Sequence, residues 1–145
     1  LQSFRRFMIL IKIRRIVIFW LPTVFWMCLI FFLSSFHKLQ ASPIGWQDFI
    51  IRKIAHFSEY FILYLFFYRS VKNTTKFSSR KVFLLAFVLT IFYAISDEYH
   101  QTFVFGRTGR PFDIGVDSFG ALLGLIFSQR LVTLLPEKTR ETLSI

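Results

Sequence analysis

Four long apolar stretches run along the chain, and its ionisable residues gather where those stretches begin and end. Residues 16–36 carry no charge over 21 positions, enough for a helix to cross the roughly 30 Å of a bilayer's hydrocarbon. Three further stretches, about 50–68, 82–101 and 114–135, are nearly as apolar. The pattern predicts an all-α protein, a four-span transmembrane helical bundle. Residues 4–15 mix basic and apolar side chains at near-helical spacing. They are expected to lie at the cytoplasmic interface or to extend the first helix. Pro22 falls in the opening turns of the first span, where a kink is tolerated.

The connections are short. The first, about 37–49, holds Pro43-Ile-Gly-Trp46, which reads as a turn followed by an interfacial tryptophan. The second, 69–81, is polar and brief, which favours antiparallel neighbouring helices. The third, about 102–112, contains Gly106-Arg-Thr-Gly-Arg-Pro111, and its glycines and proline allow a tight turn. The expected division is a basic segment over 1–15, one membrane domain over 16–135 and a tail over 136–145. The first span is expected to be retained rather than cleaved, because it is longer than a signal peptide's apolar region and no small-x-small site follows it.

Composition agrees: 54% of the 145 residues are hydrophobic and 21 are Phe, more than a soluble domain of this size can bury. The net charge of +10 changes the picture through its distribution. Arg5, Arg6, Lys12, Arg14 and Arg15 precede the first span; Arg69, Lys72, Lys76, Arg80 and Lys81 sit around the second connection; Arg130, Lys138 and Arg140 follow the last stretch. Only Lys38, Arg52, Lys53, Arg107 and Arg110 fall on the other side. The positive-inside rule then puts both termini and the 69–81 connection in the cytoplasm. No basic motif interleaved with aromatics points to nucleic acid. Cys28 is the sole cysteine, so no intrachain disulfide forms, and it is expected to be a small packing residue.

With alternating spans, six of the eight acids, Asp48, Glu59, Asp97, Glu98, Asp113 and Asp117, gather on the outward side. A charge at mid-bilayer costs roughly 2.5 to 3.5 kcal/mol, so such groups are kept for pairing or for function. Helical residues advance about 100° per position. Lys53, His56, Glu59 and Tyr60 therefore share one sector of the second span. Asp97 and Gln101 share a face of the third, with Glu98 beside them, and His100 and Gln101 can be read as a frayed, watered helix end. Asp113, Asp117, Gly120 and Gly124 form one stripe on the fourth. Its Gly120-Ala-Leu-Leu-Gly124 permits close helix approach, so Asp117 is expected to point into the bundle.

The acids and histidine are competent metal ligands. The nearby cations Arg52, Lys53, Arg107 and Arg110 nearly balance them, which favours a hydrogen-bonded ion-pair network, with Arg107 expected to bind carboxylates among Asp97, Glu98, Asp113 and Asp117. No resident metal and no cofactor is expected. Paired carboxylates with a histidine can do acid–base work. Yet Ser58 and Ser96 are single serines without a triad pattern, and no phosphate-binding glycine loop occurs. No chain of ionisable groups crosses toward the cytoplasm, as a proton relay would need.

Read together, Lys53-Ile-Ala-His56-Phe-Ser-Glu59-Tyr60, Asp97-Glu98-Tyr-His-Gln101-Thr-Phe, Gly106-Arg107 and Asp113-Ile-Gly-Val-Asp117-Ser-Phe-Gly120-Ala-Leu-Leu-Gly124 resemble the VanZ-like family of bacterial membrane proteins. The pieces cover about residues 53–128. The resemblance implies a four-span domain of the bacterial cytoplasmic membrane. Its signature residues would here be Lys53, His56, Glu59, Asp97, Glu98, Gln101, Arg107, Asp113 and Asp117. It also implies a link to tolerance of the glycopeptide teicoplanin. Two positions depart from the family's habit: Arg52 stands where an acid often precedes the motif lysine, and Phe105 where a proline often precedes Gly106-Arg107. The expected function is to bind or shield an outer-leaflet envelope component, with membrane lipids, a lipid-linked envelope component or a glycopeptide as partners. The alternative is a membrane enzyme acting on a lipid-linked or headgroup substrate at the outer face.

Overall fold

The computed structural model describes residues 2–36, 44–107 and 109–134. Lys38 and Pro43 of the first expected outer loop, Thr108, and the tail with Lys138 and Arg140 lie outside the described residues. The described chain forms four helices: α1 (Gln2–Ser34), α2 (Gly45–Thr74), α3 (Ser79–Gln101) and α4 (Pro111–Leu134).

The basic segment continues into α1 without a break. At 1.5 Å per residue its 33 residues reach about 50 Å, longer than the hydrocarbon is thick. Phe7 to Ile18 stay exposed along this extension, and only from Thr23 onward does α1 bury side chains. Pro22 sits inside the helix.

The hub is α2. Each of the other three helices packs on it, whereas the α1 and α3 backbones approach each other little and meet through side chains. Tyr60, Leu63, Tyr64, Phe67, Tyr68 and Val71 of α2 fill the core. The outer surface of the bundle is apolar instead: Phe25, Leu84, Phe92 and Phe119 are all more than half exposed. This inside-out arrangement suits a chain whose solvent is hydrocarbon.

Among the described residues, three helices are long and apolar enough to cross a membrane: the Arg5–Ser34 part of α1, α3 and α4. The sequence pattern led us to expect four such helices, and α2 is the departure. Its His56, Glu59 and tyrosines lower its hydropathy, and they do so because the helix faces protein on most sides. Polar groups that lipid would reject are accommodated in a bundle interior.

Small residues set the α2–α4 contact. A Cβ built on Gly120 would lie 2.4 Å from the carbonyl oxygen of Phe57. One on Gly124 would lie 2.8 Å from Cδ1 of Tyr64 and 3.1 Å from the carbonyl oxygen of Phe61. The two glycines thus let the α4 backbone rest on α2. Hydrogen bonds between helices add specificity. The hydroxyls of Thr23 and Ser70 are 2.7 Å apart, and Ser70 Oγ lies 2.7 Å from the Phe19 carbonyl. Tyr93 Oη donates to the Met27 carbonyl at 2.5 Å, and Trp26 Nε1 to that of Glu59 at 3.0 Å. Cys28 is exposed on the outer face of α1, not packed inside as expected: the helix turns Thr23, Trp26, Met27 and Ile30 inward.

Candidate functional site

Up-and-down connectivity brings the end of α1, the start of α2, the end of α3 and the start of α4 to one end of the bundle. The ionisable residues singled out in the sequence meet there, in three groups.

Nearest the helix starts, Arg52 pairs with Asp48 one turn before it at 2.6 Å. Lys53 reaches across to α4 and pairs with Asp113. Its ammonium also stands 5.3 Å from the Phe49 ring centroid and 5.6 Å from that of Phe112. The aromatic faces and the carboxylate together hold the cation in a partly buried position.

The second group closes α3 onto α1. Ser34 Oγ donates to Asp97 Oδ1 at 2.6 Å, and Gln101 Nε2 donates to Asp97 Oδ2 at 2.9 Å. Gln101 Oε1 accepts from Arg107 Nη1 at 3.2 Å. Two further guanidinium donors go to the end of α1 and just beyond it: Nη2 to the Leu33 carbonyl at 3.2 Å and Nε to that of Phe36, two residues past the helix, at 3.1 Å. Among the described residues Arg107 therefore binds no carboxylate directly, contrary to the sequence expectation. A cation beside the last carbonyls of a helix is favoured by the helix dipole. Asp97 is meanwhile satisfied by Ser34 and Gln101, and Asp113 by Lys53. Gln101, 4% exposed, relays between the arginine and Asp97. The loop reaches this position through Gly106, whose φ of 76° suits a residue without Cβ.

The third group lies deeper, between α2, α3 and α4. His56 Nδ1 stands 3.4 Å from Asp117 Oδ1. That is within ion-pair reach, yet His56 Nδ1 and both Asp117 oxygens have no hydrogen-bond partner. Glu98 accepts from the Arg110 backbone N–H at 2.9 Å and from Gln101 Nε2 at 3.5 Å. Ligand atoms of His56, Glu98 and Asp117 all lie within 4.8 Å of one another. The fully buried Tyr60 hydroxyl also lacks a partner.

Glu59 occupies the same region, with His56, Asp97, Asp117 and Arg107 among its electrostatic neighbours. It is only partly buried, whereas Asp117, Asp97 and Glu98 are 0%, 2% and 3% exposed. Depth along the sequence singled out Glu59; burial singles out Asp117. Gln101 does not sit at a watered helix end, being buried and bonded to Asp97 and Arg107, and nor does His100. Its ring lies 4.1 Å from that of Phe31, and its Nδ1 is buried. Ser58 and Ser96 donate to the carbonyls of Ile54 and Tyr93 on their own helices, so neither is offered to His56 as a nucleophile.

Sequence reasoning missed Ser34, Trp26 and Tyr93. A lone hydroxyl or indole in an apolar span carries no periodic signal, and its partner lies on another helix.

Fold and site define a multi-pass helical membrane protein with a charged network at one end of its bundle. The chain belongs to the VanZ/LLP1 family, whose model matches residues 19–133. No curated protein and no solved structure matches it. The matched stretch takes in the packed part of α1 and the whole of α2, α3 and α4 up to Thr133, and so includes every residue of the three groups.

Proposed function

We propose that the protein crosses the bacterial cytoplasmic membrane four times, with both termini in the cytoplasm, and that the charged network faces outward to bind or shield an envelope component. The observation that carries this reading is the gathering of Asp97, Glu98, Asp117 and His56, mostly buried, at one bundle end, opposite the basic 69–81 connection. Lipid alone gives no reason to retain such groups. Packing supports the fourth crossing. At 30 residues α2 extends about 45 Å, and it lies between helices that are themselves long enough to span. Residues 1–15 and 136–145 flank the membrane domain of 16–135 on the cytoplasmic side.

The partners this reading favours are membrane lipids and, at the outer face, a lipid-linked envelope component or a glycopeptide. Family membership supports glycopeptide tolerance, teicoplanin in particular, as the phenotype to examine. Nucleic acid has no place in it. The alternative, an enzyme acting on a lipid-linked or headgroup substrate, draws on the unbonded Asp117 carboxylate beside His56, a pair able to exchange a proton.

The test compares parent and deletion strains for teicoplanin sensitivity and for their lipids and cell-wall precursors. A binding or shielding role predicts greater sensitivity with an unchanged precursor set. A precursor or lipid that accumulates only in the deletion strain would favour the enzyme. No difference in either measurement would remove the envelope reading.

A further inference from the structure

Asp117 is the most unusual side chain in the bundle. It is 0% exposed, and neither of its oxygens has a hydrogen-bond donor. A buried carboxylate without donors is costly, and native interiors provide such groups with a partner. Beside it, His56 Nδ1 is itself buried and without a hydrogen bond at 3.4 Å. That separation is close to the edge of a tetrahedron with metal–ligand bonds of about 2.1 Å. From a third helix Glu98 brings an oxygen into the same space, all three ligand atoms lying within 4.8 Å.

We propose that His56, Glu98 and Asp117 bind a divalent first-row transition cation, Zn2+ or Mn2+ in class. One neutral imidazole and two carboxylates carry two negative charges together, which such an ion neutralises. The imidazole nitrogen selects against Mg2+ and Ca2+, which take oxygen ligands. The site has the supports that ordinarily orient ligands. Glu98 is held by the Arg110 N–H and by Gln101, both of which leave lone pairs free for a metal. His56 and Asp117 are fixed by the close α2–α4 contact at Gly120. Three protein ligands leave a coordination position open for water or an anionic oxygen. The charge count in the sequence argued against a metal because it paired all cations with all acids. In the structure Lys53, Arg52 and Arg107 are engaged elsewhere, and none of them neutralises Asp117.

The test uses the full chain, purified in detergent and stripped with a chelator. Mn2+ is titrated while the free ion is followed by electron paramagnetic resonance, and Zn2+ is titrated against a chromogenic chelator. The expected result is about one equivalent bound per chain. Asp117→Asn and His56→Gln should each weaken binding by about tenfold or more, while Asp48→Asn leaves it unchanged. Pulsed measurements on the Mn2+ form should show imidazole nitrogen coupling that His56→Gln abolishes. A melting curve guards against misfolded variants. Zn2+ should raise the melting temperature of the parent but not that of Asp117→Asn. The stripped variant should melt no lower than the stripped parent, since it lacks the uncompensated charge. Absence of stoichiometric binding to the stripped parent, or equal binding by both variants, would overturn the site. Neither result depends on the envelope phenotype, which is scored separately in cells.

Discussion

Ser34 Oγ donates to Asp97 Oδ1 at 2.6 Å, tying the last turn of α1 to the last turn of α3. The backbones of these two helices keep apart, so side chains carry their contact, with the Tyr93–Met27 bond and the Phe31–His100 ring pair beside this one. The Ser34–Asp97 bond therefore fixes where α1 ends relative to the charged network, and Arg107 reinforces it by binding the Leu33 and Phe36 carbonyls. The end of a lipid-facing helix is thereby part of the polar network.

Arg107 should matter through this closure. Arg107→Ala removes the donors to the Leu33 carbonyl of α1, to the Phe36 carbonyl just after it and to Gln101. Hydrogen bonds from a charged group contribute about 1.5 to 3 kcal/mol, so the variant should lose at least about that much stability in detergent melts. Arg107→Lys should recover only part of it, because an ammonium lacks the fork that reaches both carbonyls and the amide. Melting curves that superimpose for parent and Arg107→Ala would show that α1 is held without it.

The α4 stripe was legible in the sequence because one periodic face carried both its charges and its glycines. Asp113 and Asp117 do meet α2 residues, and Gly120 and Gly124 do lie against its backbone. The role of Arg107 was not legible. Charge complementarity pointed it at carboxylates, while its actual acceptors are backbone carbonyls some seventy residues away, which no side-chain pattern reports. The hub position of α2 was not legible either: the apolar pattern counted it as one span among four, whereas its polar residues mark the helix on which the other three pack.

Gly120 provides a packing test. Gly120→Ala places a Cβ 2.4 Å from the Phe57 carbonyl oxygen, a backbone atom that cannot swing aside. Overpacking of this kind costs about 1 to 3 kcal/mol. Gly115 on the same helix has nothing within 4 Å of such a Cβ. Gly115→Ala should be neutral, or stabilising by up to about 1 kcal/mol from helix propensity. Detergent melts of the two variants side by side should separate them; equal behaviour would mean α4 does not rest on α2 through Gly120.

The orientation can be read with single cysteines in a Cys28→Ser background. Lys76 lies exposed in the basic connection, and Phe105 lies exposed in the loop between α3 and α4. The proposed topology predicts that an impermeant thiol reagent labels Phe105→Cys in intact cells and Lys76→Cys only after lysis. The reverse pattern would invert the protein and turn the charged network toward the cytoplasm.

Glu59 separates function from fold. It lies among His56, Asp97, Asp117 and Arg107, yet its carboxylate makes no hydrogen bond among the described residues, so its charge supports little of the packing visible around it. Glu59→Gln keeps the volume and deletes that charge. We expect the variant to insert, express and melt within about 0.5 kcal/mol of the parent, the range of substitutions that break no structural feature. We also expect it to fail to restore teicoplanin tolerance to a deletion strain. Asp97→Asn differs, because Ser34 and Gln101 both donate to that carboxylate. Replacing one acceptor oxygen with an amide sets donor against donor, so stability and complementation should fall together. A stable Glu59→Gln protein that complements fully would show that this charge is dispensable, and would shift the functional assignment to the more deeply buried Asp97 and Asp117.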